Sequence, residues 1–286
     1  VLARESGGVR VRNLTEKGKR TVEAVETVIE PDLLYPLVRW ADVDCYCARP
    51  SAHLLLAQDA STRAGREPAW MERHVPRTYA YLQRFEALLQ RRAAYRRYQD
   101  RKPFYSMYNV GPYTLAPVKV VWRRMDRRIR AAVLEAVDDP WLGRWPVVPQ
   151  ETCVLVACGS EEEAHYLCAV LNSGPANRLV AAHSVVGGKG FGTPGILDFL
   201  PIRFYDGRDP RHAALAACSR QAHALQREQK NRGTGDKGTD EQGSRRAGEL
   251  RPAARGAGGQ PTLGDLAGRI DRLVADLWDL PTGCES

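Results

Sequence analysis

The sequence predicts a mixed α/β (α+β) fold: a body of short strands and helices over residues 1–229, a long basic helix within it, and a C-terminal helical hairpin. Three observations predict this class. Residues 22–29 carry β-branched side chains at alternating positions, the pattern of a half-buried strand. Pro76 and Thr78 open a stretch with helical apolar spacing that runs to about Gln99. Near the C-terminus, Leu263, Leu266, Ile270, Leu273, Val274 and Leu277 form a continuous apolar stripe at helical period.

Taken in order, the strand over residues 22–29 is broken by Glu30-Pro31, and Leu33-Leu34-Tyr35 resumes an apolar segment. Residues 51–60 read as a strand and loop. In the long helix, Leu82, Phe85 and Leu89 make the inward stripe, while Arg77, Arg84 and Arg91 recur every seven residues along its flank. Arg92, Arg96, Arg97, Arg101 and Lys102 continue the basic edge, and only Glu86 and Asp100 offset it between Arg84 and Lys102. A face so one-signed suits phosphates better than bulk water. Residues 103–114 form an aromatic-rich loop closed by Gly111-Pro112, followed by a strand over 118–122. Alternation there puts Val118, Val120 and Trp122 on one face and Lys119, Val121 and Arg123 on the other, with Arg124, Arg127, Arg128 and Arg130 just beyond. Aromatics interleaved with cations suit nucleic acid, because rings stack on bases and guanidinium groups bridge phosphates or guanine edges.

Residues 152–157 form an apolar strand, and Ser160 opens a helix whose first turn holds Glu161, Glu162 and Glu163 at the positive end of the helix dipole. Tyr166, Leu167, Val170 and Leu171 face inward, and Asn172-Ser173-Gly174-Pro175 ends the helix. A further helix or strand over 176–186 leads to the glycine-rich loop 187–195, and a helix begins at Asp209-Pro210 and runs to about Gln229. Residues 230–260 contain Leu250 as their only large aliphatic side chain, too little to repay the cost of ordering, so 230–261 reads as a disordered basic, Gly-rich insertion. Thr262 caps the last helix, 262–280, whose stripe folds back on the helix before the insertion.

The 286 residues, 43% hydrophobic and 27% charged, are enough to bury a substantial core. The net charge of +8 favours polyanionic partners. Neither a membrane span nor an apolar signal core is present, which implies a cytoplasmic protein without a membrane partner. Seven scattered cysteines read as reduced thiols, and Cys45-x-Cys47 near His53 lacks the paired spacing of a zinc site. The start at Val1 rather than Met, in mid-pattern, reads as a fragment or a misassigned start.

No catalytic site emerges. Gly190-Phe191-Gly192-Thr193-Pro194-Gly195 matches a GxGxxG fingerprint, but Pro194 sits in the turn and Pro201 ends the segment before a crossover helix could form. No GxSxG elbow is present, and Ser160 with His165 is ordinary helix-start composition.

Several blocks resemble the C-terminal, DNA-recognising portion of adenine-N6-specific DNA methyltransferases of restriction-modification systems. The most extended is Tyr108-Asn109-Val110-Gly111-Pro112-Tyr113-Thr114-Leu115-Ala116-Pro117-Val118-Lys119-Val120-Val121-Trp122-Arg123. Ile29-Glu30-Pro31-Asp32-Leu33-Leu34-Tyr35-Pro36-Leu37-Val38-Arg39 looks like the entry to that region, and Tyr79-Ala80-Tyr81-Leu82 through Arg91-Arg92, with Tyr95-Arg96-Arg97-Tyr98, resembles its basic arm. Ala164-His165-Tyr166-Leu167-Cys168-Ala169-Val170-Leu171-Asn172-Ser173 and Ile196-Leu197-Asp198-Phe199-Leu200-Pro201-Ile202 resemble its closing elements, so the blocks span most of residues 22–229. The resemblance implies a target-recognition domain that lays loops in the major groove while a separate catalytic domain flips the adenine.

That catalytic half requires an Asn/Asp-Pro-Pro-aromatic motif and an FxGxG loop for S-adenosylmethionine. The chain has no Pro-Pro pair, and Phe191-Gly192-Thr193-Pro194-Gly195 has its first glycine misplaced. The expectation is therefore a specificity subunit or fragment with no catalytic, cofactor or metal site of its own. Its partners would be double-stranded DNA and a methyltransferase or methyltransferase-nuclease catalytic domain, which would bring the S-adenosylmethionine. Arg84, Arg91, Arg96 and Arg97 would hold phosphates, and Tyr108, Asn109 and Tyr113 would approach bases. Lys119, Arg123 and Arg124 would do either, with Lys189 and Phe191 in support. The loop 187–195 is more glycine-rich than the family's, which leaves base contacts there open. Two other readings are a catalytically inactive interaction subunit that docks a partner helix on its C-terminal stripe, and a nuclease with an unrecognised site.

Overall fold

Short antiparallel hairpins dominate the strands and most helices are short, an α+β organisation with no closed barrel among the described residues. The structure is a computed structural model and describes residues 1–15, 21–183, 194–234 and 261–280. The chain forms two units, each assembled from non-contiguous segments. The first comprises Val1–Arg39, Pro50–Pro117 and Glu135–Gln150, and the second Trp40–Arg49, Val118–Leu134 and Glu151–Ser286. Neither boundary coincides with a single body over 1–229.

In the first unit, strands Ala3–Glu5, Gly8–Arg12 and Glu26–Ile29 form an antiparallel sheet. Its first hairpin turns at Gly7, whose φ of +80° lies where a side chain would be strained. Alternation buries Val9, Val11 and Ile29 with Leu34. The strand expected from residue 22 begins at Glu26, and Glu30-Pro31 introduces a 3-10 turn over Pro31–Leu33. The resumed apolar run, Leu34–Val38, is the centre of a second sheet between Ala52–Leu55 (antiparallel) and Val148–Pro149 (parallel).

Four helices complete this unit: α1 (Pro68–His74), α2 (Pro76–Gln83), α3 (Glu86–Gln90) and α4 (Ala93–Tyr98). The single long basic helix expected from Pro76 to Gln99 is thus three short ones. The chain leaves helical geometry at Phe85 (φ −109°, ψ 10°) and at Arg92 (φ −63°, ψ 130°). The second break has an evident cause. The half-buried Arg92 guanidinium donates to the carbonyls of Leu89 (2.9 Å), Phe104 (2.8 Å) and Ser106 (3.0 Å), so it works as an internal clamp rather than a surface cation. Burial alone lowers its pKa. The start of α2 is fixed by Glu30, which accepts from the backbone N–H groups of Arg77 (3.1 Å) and Thr78 (2.8 Å) and from the Thr78 hydroxyl (2.6 Å). Burial opposes ionisation of Glu30, but these hydrogen bonds outweigh it and lower the pKa. Leu33, Met71, Val75, Leu82, Phe104 and Tyr105 form the core beneath the helices.

In the second unit, strand Lys119–Arg123 lies between Ala131–Leu134 and Cys153–Ala157, antiparallel to both, with Trp122 opposite Ala131 and Val154. Lys119, Val120, Val121 and Trp122 are all buried, so both faces of this strand are covered and no polar, solvent-facing side exists. Helices α5 (Glu161–Asn172), α6 (Gly174–His183), α7 (Pro210–Thr234) and α8 (Leu263–Leu277) build the rest. The Ser160 hydroxyl caps α5 by accepting from the Glu163 N–H at 3.1 Å, and Thr262 with Asp265 forms a capping box on α8. The α8 residues Leu266, Ile270, Val274 and Leu277 are buried in the same core as Tyr166, Leu171 and Leu215, packing α8 back on α7. Helix α7 extends to Thr234, past the point where the polar insertion was expected to start, and residues 235–260 lie outside the described residues.

A buried polar network ties α7 to the sheet. His223 Nε2 accepts from the Val133 N–H (3.0 Å), its Nδ1–H donates to the Ser219 carbonyl (2.8 Å), and His165 Nδ1 lies 3.1 Å from the Ser219 hydroxyl. The first two contacts fix His223 as the neutral Nδ1–H tautomer.

Candidate nucleic-acid interface

The first unit gathers most of the expected base-approaching side chains in one place. Helix α4 ends in Arg96-Arg97-Tyr98, and the chain turns through residues 99–103 to bring Tyr108 back over it. The Tyr98 and Tyr108 rings stack with centroids 4.0 Å apart and planes inclined by 18°. The Arg97 guanidinium lies 5.2 Å from the Tyr98 ring centre. Tyr98 is 46% exposed and Tyr108 50%, so the stack is built at the surface rather than in the core.

Its position is dictated by the segment beneath. Buried Tyr95 donates its hydroxyl to the Lys102 carbonyl (2.7 Å), closing the turn after α4. The Arg92 clamp fixes residues 104 and 106, the Ser106 hydroxyl accepts from the Gly65 N–H (2.8 Å), and Gln58 brackets Met107 by donating to its carbonyl (3.0 Å) and accepting from its N–H (2.9 Å). The residue before Tyr108 therefore has little freedom, and the stack is preorganised.

Asn109 follows in the left-handed region, φ +59°, which an asparagine tolerates better than most side chains. The Tyr113 hydroxyl donates toward Asn109, 2.8 Å from both its carbonyl oxygen and its Oδ1. With Oδ1 so engaged, the amide N–H pair is what Asn109 has to offer a base acceptor. Gly111 lets the Tyr113 ring approach the backbone: a Cβ there would come within 2.9 Å of the ring and 3.4 Å of Arg63 Nε. Arg63 is exposed and opposes the burial that raises the Tyr113 pKa.

Arg63 and Tyr98 complete the cluster and were not among the residues singled out from sequence. Tyr98 carries a sequence signal, since it lies in the Tyr95-Arg96-Arg97-Tyr98 block. Arg63 left no such signal, because it is delivered by the hairpin Gln58–Asp59/Ala64–Gly65, far from the basic segment in sequence.

The remaining expected residues divide. Arg91 and Arg96 are exposed, at the end of α3 and on α4. Arg84 stands apart, pairing with Glu23 at 3.4 Å and lining a shallow groove with Thr27, Val28, Arg77, Ala80 and Tyr81. The break at Phe85 separates Arg77 and Arg84 from Arg91, so the common flank that heptad spacing predicted does not form.

In the second unit, Lys119 is 1% exposed, and burial pushes its pKa down to about 8. It cannot reach a phosphate, because the strand face assigned to it is covered. Arg123 is likewise internal: it stacks over Trp40 (4.3 Å), donates to the Val43 carbonyl (2.6 Å) and pairs with Asp126 (3.2 Å). Arg124 is exposed and reaches the Glu151 carbonyl at 3.3 Å. Lys189 and Phe191, with the loop that carries them, lie outside the described residues.

Among the described residues no group of three or more His, Cys, Asp or Glu side chains is placed to hold a metal ion. Nor is any helix there long and apolar enough to cross a membrane. No protein-family model matches the chain, and no curated protein matches it.

Proposed function

We propose that the chain reads double-stranded DNA as the specificity module of an adenine-N6 DNA methyltransferase in a restriction-modification system. The observation that carries this reading is the exposed, preorganised stack of Arg97, Tyr98 and Tyr108 beside Asn109 and Tyr113, within the blocks that resemble the recognition region. Guanidinium groups at Arg91, Arg96, Arg97 and Arg63 suit phosphates and set register, while the Asn109 amide and the tyrosine rings suit base edges and thymine methyl groups in the major groove. The methyl donor and the flipped adenine belong, in this reading, to a separate catalytic domain.

The interaction-subunit alternative has lost its surface. The C-terminal stripe that would dock a partner helix is buried in the second unit's own core.

Binding of the purified chain to fluorescent 30-base-pair duplexes, titrated with salt, tests the proposal. Association at low salt that weakens steeply on a log-log plot, and is weakened further by Tyr108→Ala, is the expected result. Absence of binding at low salt would refute it.

A further inference from the structure

Resting on the DNA-binding reading, we propose that residues 124–130, the turn between strands Lys119–Arg123 and Ala131–Leu134, form a second DNA contact that inserts Met125 between base pairs from the minor groove. The turn holds four arginines, Arg124, Arg127, Arg128 and Arg130, against one acid, Asp126. That acid is engaged internally. The Asp126 side chain is buried, bridges Arg123 (3.2 Å) and Arg130 (3.3 Å), and accepts from the Arg127 N–H (2.7 Å), so it does little to offset Arg124, Arg127 and Arg128 at the surface. Between those cations lies Met125, 53% exposed, an unbranched apolar side chain.

The turn is pinned along its length. The Trp40 indole N–H donates to the Met125 carbonyl (2.6 Å), and the Arg124 N–H to the Thr152 carbonyl (2.9 Å). Asn177 and Asn172 accept from the N–H groups of Ile129 (2.7 Å) and Ala131 (2.9 Å). Trp40, itself partly exposed, is backed by the Arg123 guanidinium. A rigid tip with an apolar side chain and arginines before and after it in sequence complements a minor groove, whose floor admits an apolar wedge and whose walls are phosphates. An acidic protein would satisfy the arginines but would not call for a methionine among them.

The test uses the full chain and a 30-base-pair duplex labelled at both ends, with affinity read by anisotropy and bending by end-to-end energy transfer. Wild type should bend the duplex on binding. Met125→Ala should abolish the bend while leaving the salt dependence unchanged. Arg127→Ala with Arg128→Ala should lower the log-log salt slope by about 1.8, two phosphate contacts' worth. Thermal melting checks that each variant is folded, and Met125→Leu, which keeps an apolar wedge, should retain the bend. Binding without a bend, or a bend that survives Met125→Ala, overturns this inference and leaves the DNA-reading proposal standing. No binding of any duplex overturns both. Binding of polyglutamate as tightly as duplex would reassign the turn to a protein partner.

Discussion

Tyr98 and Tyr108 stack nearly face to face at 4.0 Å, and the contact joins the end of α4 to the loop that carries Asn109 and Tyr113. Two large aromatics half open to solvent are not needed to close this unit's core, which Phe104, Tyr105, Met71 and Leu82 already fill. Tyr108→Ala is therefore expected to cost DNA affinity by about 1–3 kcal/mol, the scale of one specific base contact in a duplex groove. Stability should fall by less than about 1 kcal/mol. Anisotropy titration and thermal melting on the same preparation separate the two effects.

Neighbouring arginines should behave oppositely. Removing the Arg92 side chain leaves the Leu89, Phe104 and Ser106 carbonyls without their charged donor, so Arg92→Ala should destabilise by about 2–4 kcal/mol. Arg91→Ala and Arg96→Ala should leave stability within about 0.5 kcal/mol. Each should reduce the salt slope of DNA binding by about 0.9. Urea unfolding of the three variants tests the assignment, and an Arg92→Ala protein as stable as wild type would contradict it.

Arg123 and Arg124 are adjacent but differ in role. Arg123→Glu places a second carboxylate against Asp126 and removes the cation from the Trp40 face, which should destabilise the second unit by about 3–5 kcal/mol, the scale for breaking a buried pair. Arg124→Ala should cost about 1 kcal/mol or less. A thermal shift confined to the Arg123 variant is the expected outcome, so loss of DNA binding in that variant would report unfolding rather than a lost contact.

The paired histidines predict an acid limit. Burial, then the neighbouring His223 and the positive potential of Arg220, pushes the His165 pKa down to about 3, and burial pushes His223 to about 4, from an unperturbed 6.5. The unfolded chain therefore takes up protons that the folded chain refuses, and stability rises with pH across that interval. It should be fully present above about pH 6.5 and lost progressively as pH falls through about 4 for His223 and about 3 for His165. Melting of His223→Gln should show a shallower fall over this range, alongside a lower maximum because the Val133 and Ser219 hydrogen bonds are disturbed.

Legibility in the sequence followed the range of the interactions. The Ser160 cap, the acidic first turn of α5 and the α8 stripe with its Thr262 cap are local, and they stand where spacing put them. The α2–α4 break was hidden because the groups that take the Arg92 guanidinium, the carbonyls of residues 104 and 106, are supplied by a later loop. Period-two reasoning gave Lys119 an open face. It could not register that helix and sheet neighbours bury both sides of that strand. The aromatic loop was recognisable as a cluster of residue types, whereas the geometry that makes it a platform depends on Gln58, Gly65 and Arg63 from a distant hairpin.

The most direct measurement is a bind-and-sequence selection of the purified chain on a random duplex library at near-physiological salt, run beside the Arg97→Ala/Tyr108→Ala double variant. Enrichment of one short motif by the wild-type chain, absent from the folded double variant, is the predicted result. Retention of DNA with no motif enriched, or the same motif from both proteins, would contradict the assignment of sequence reading to this cluster.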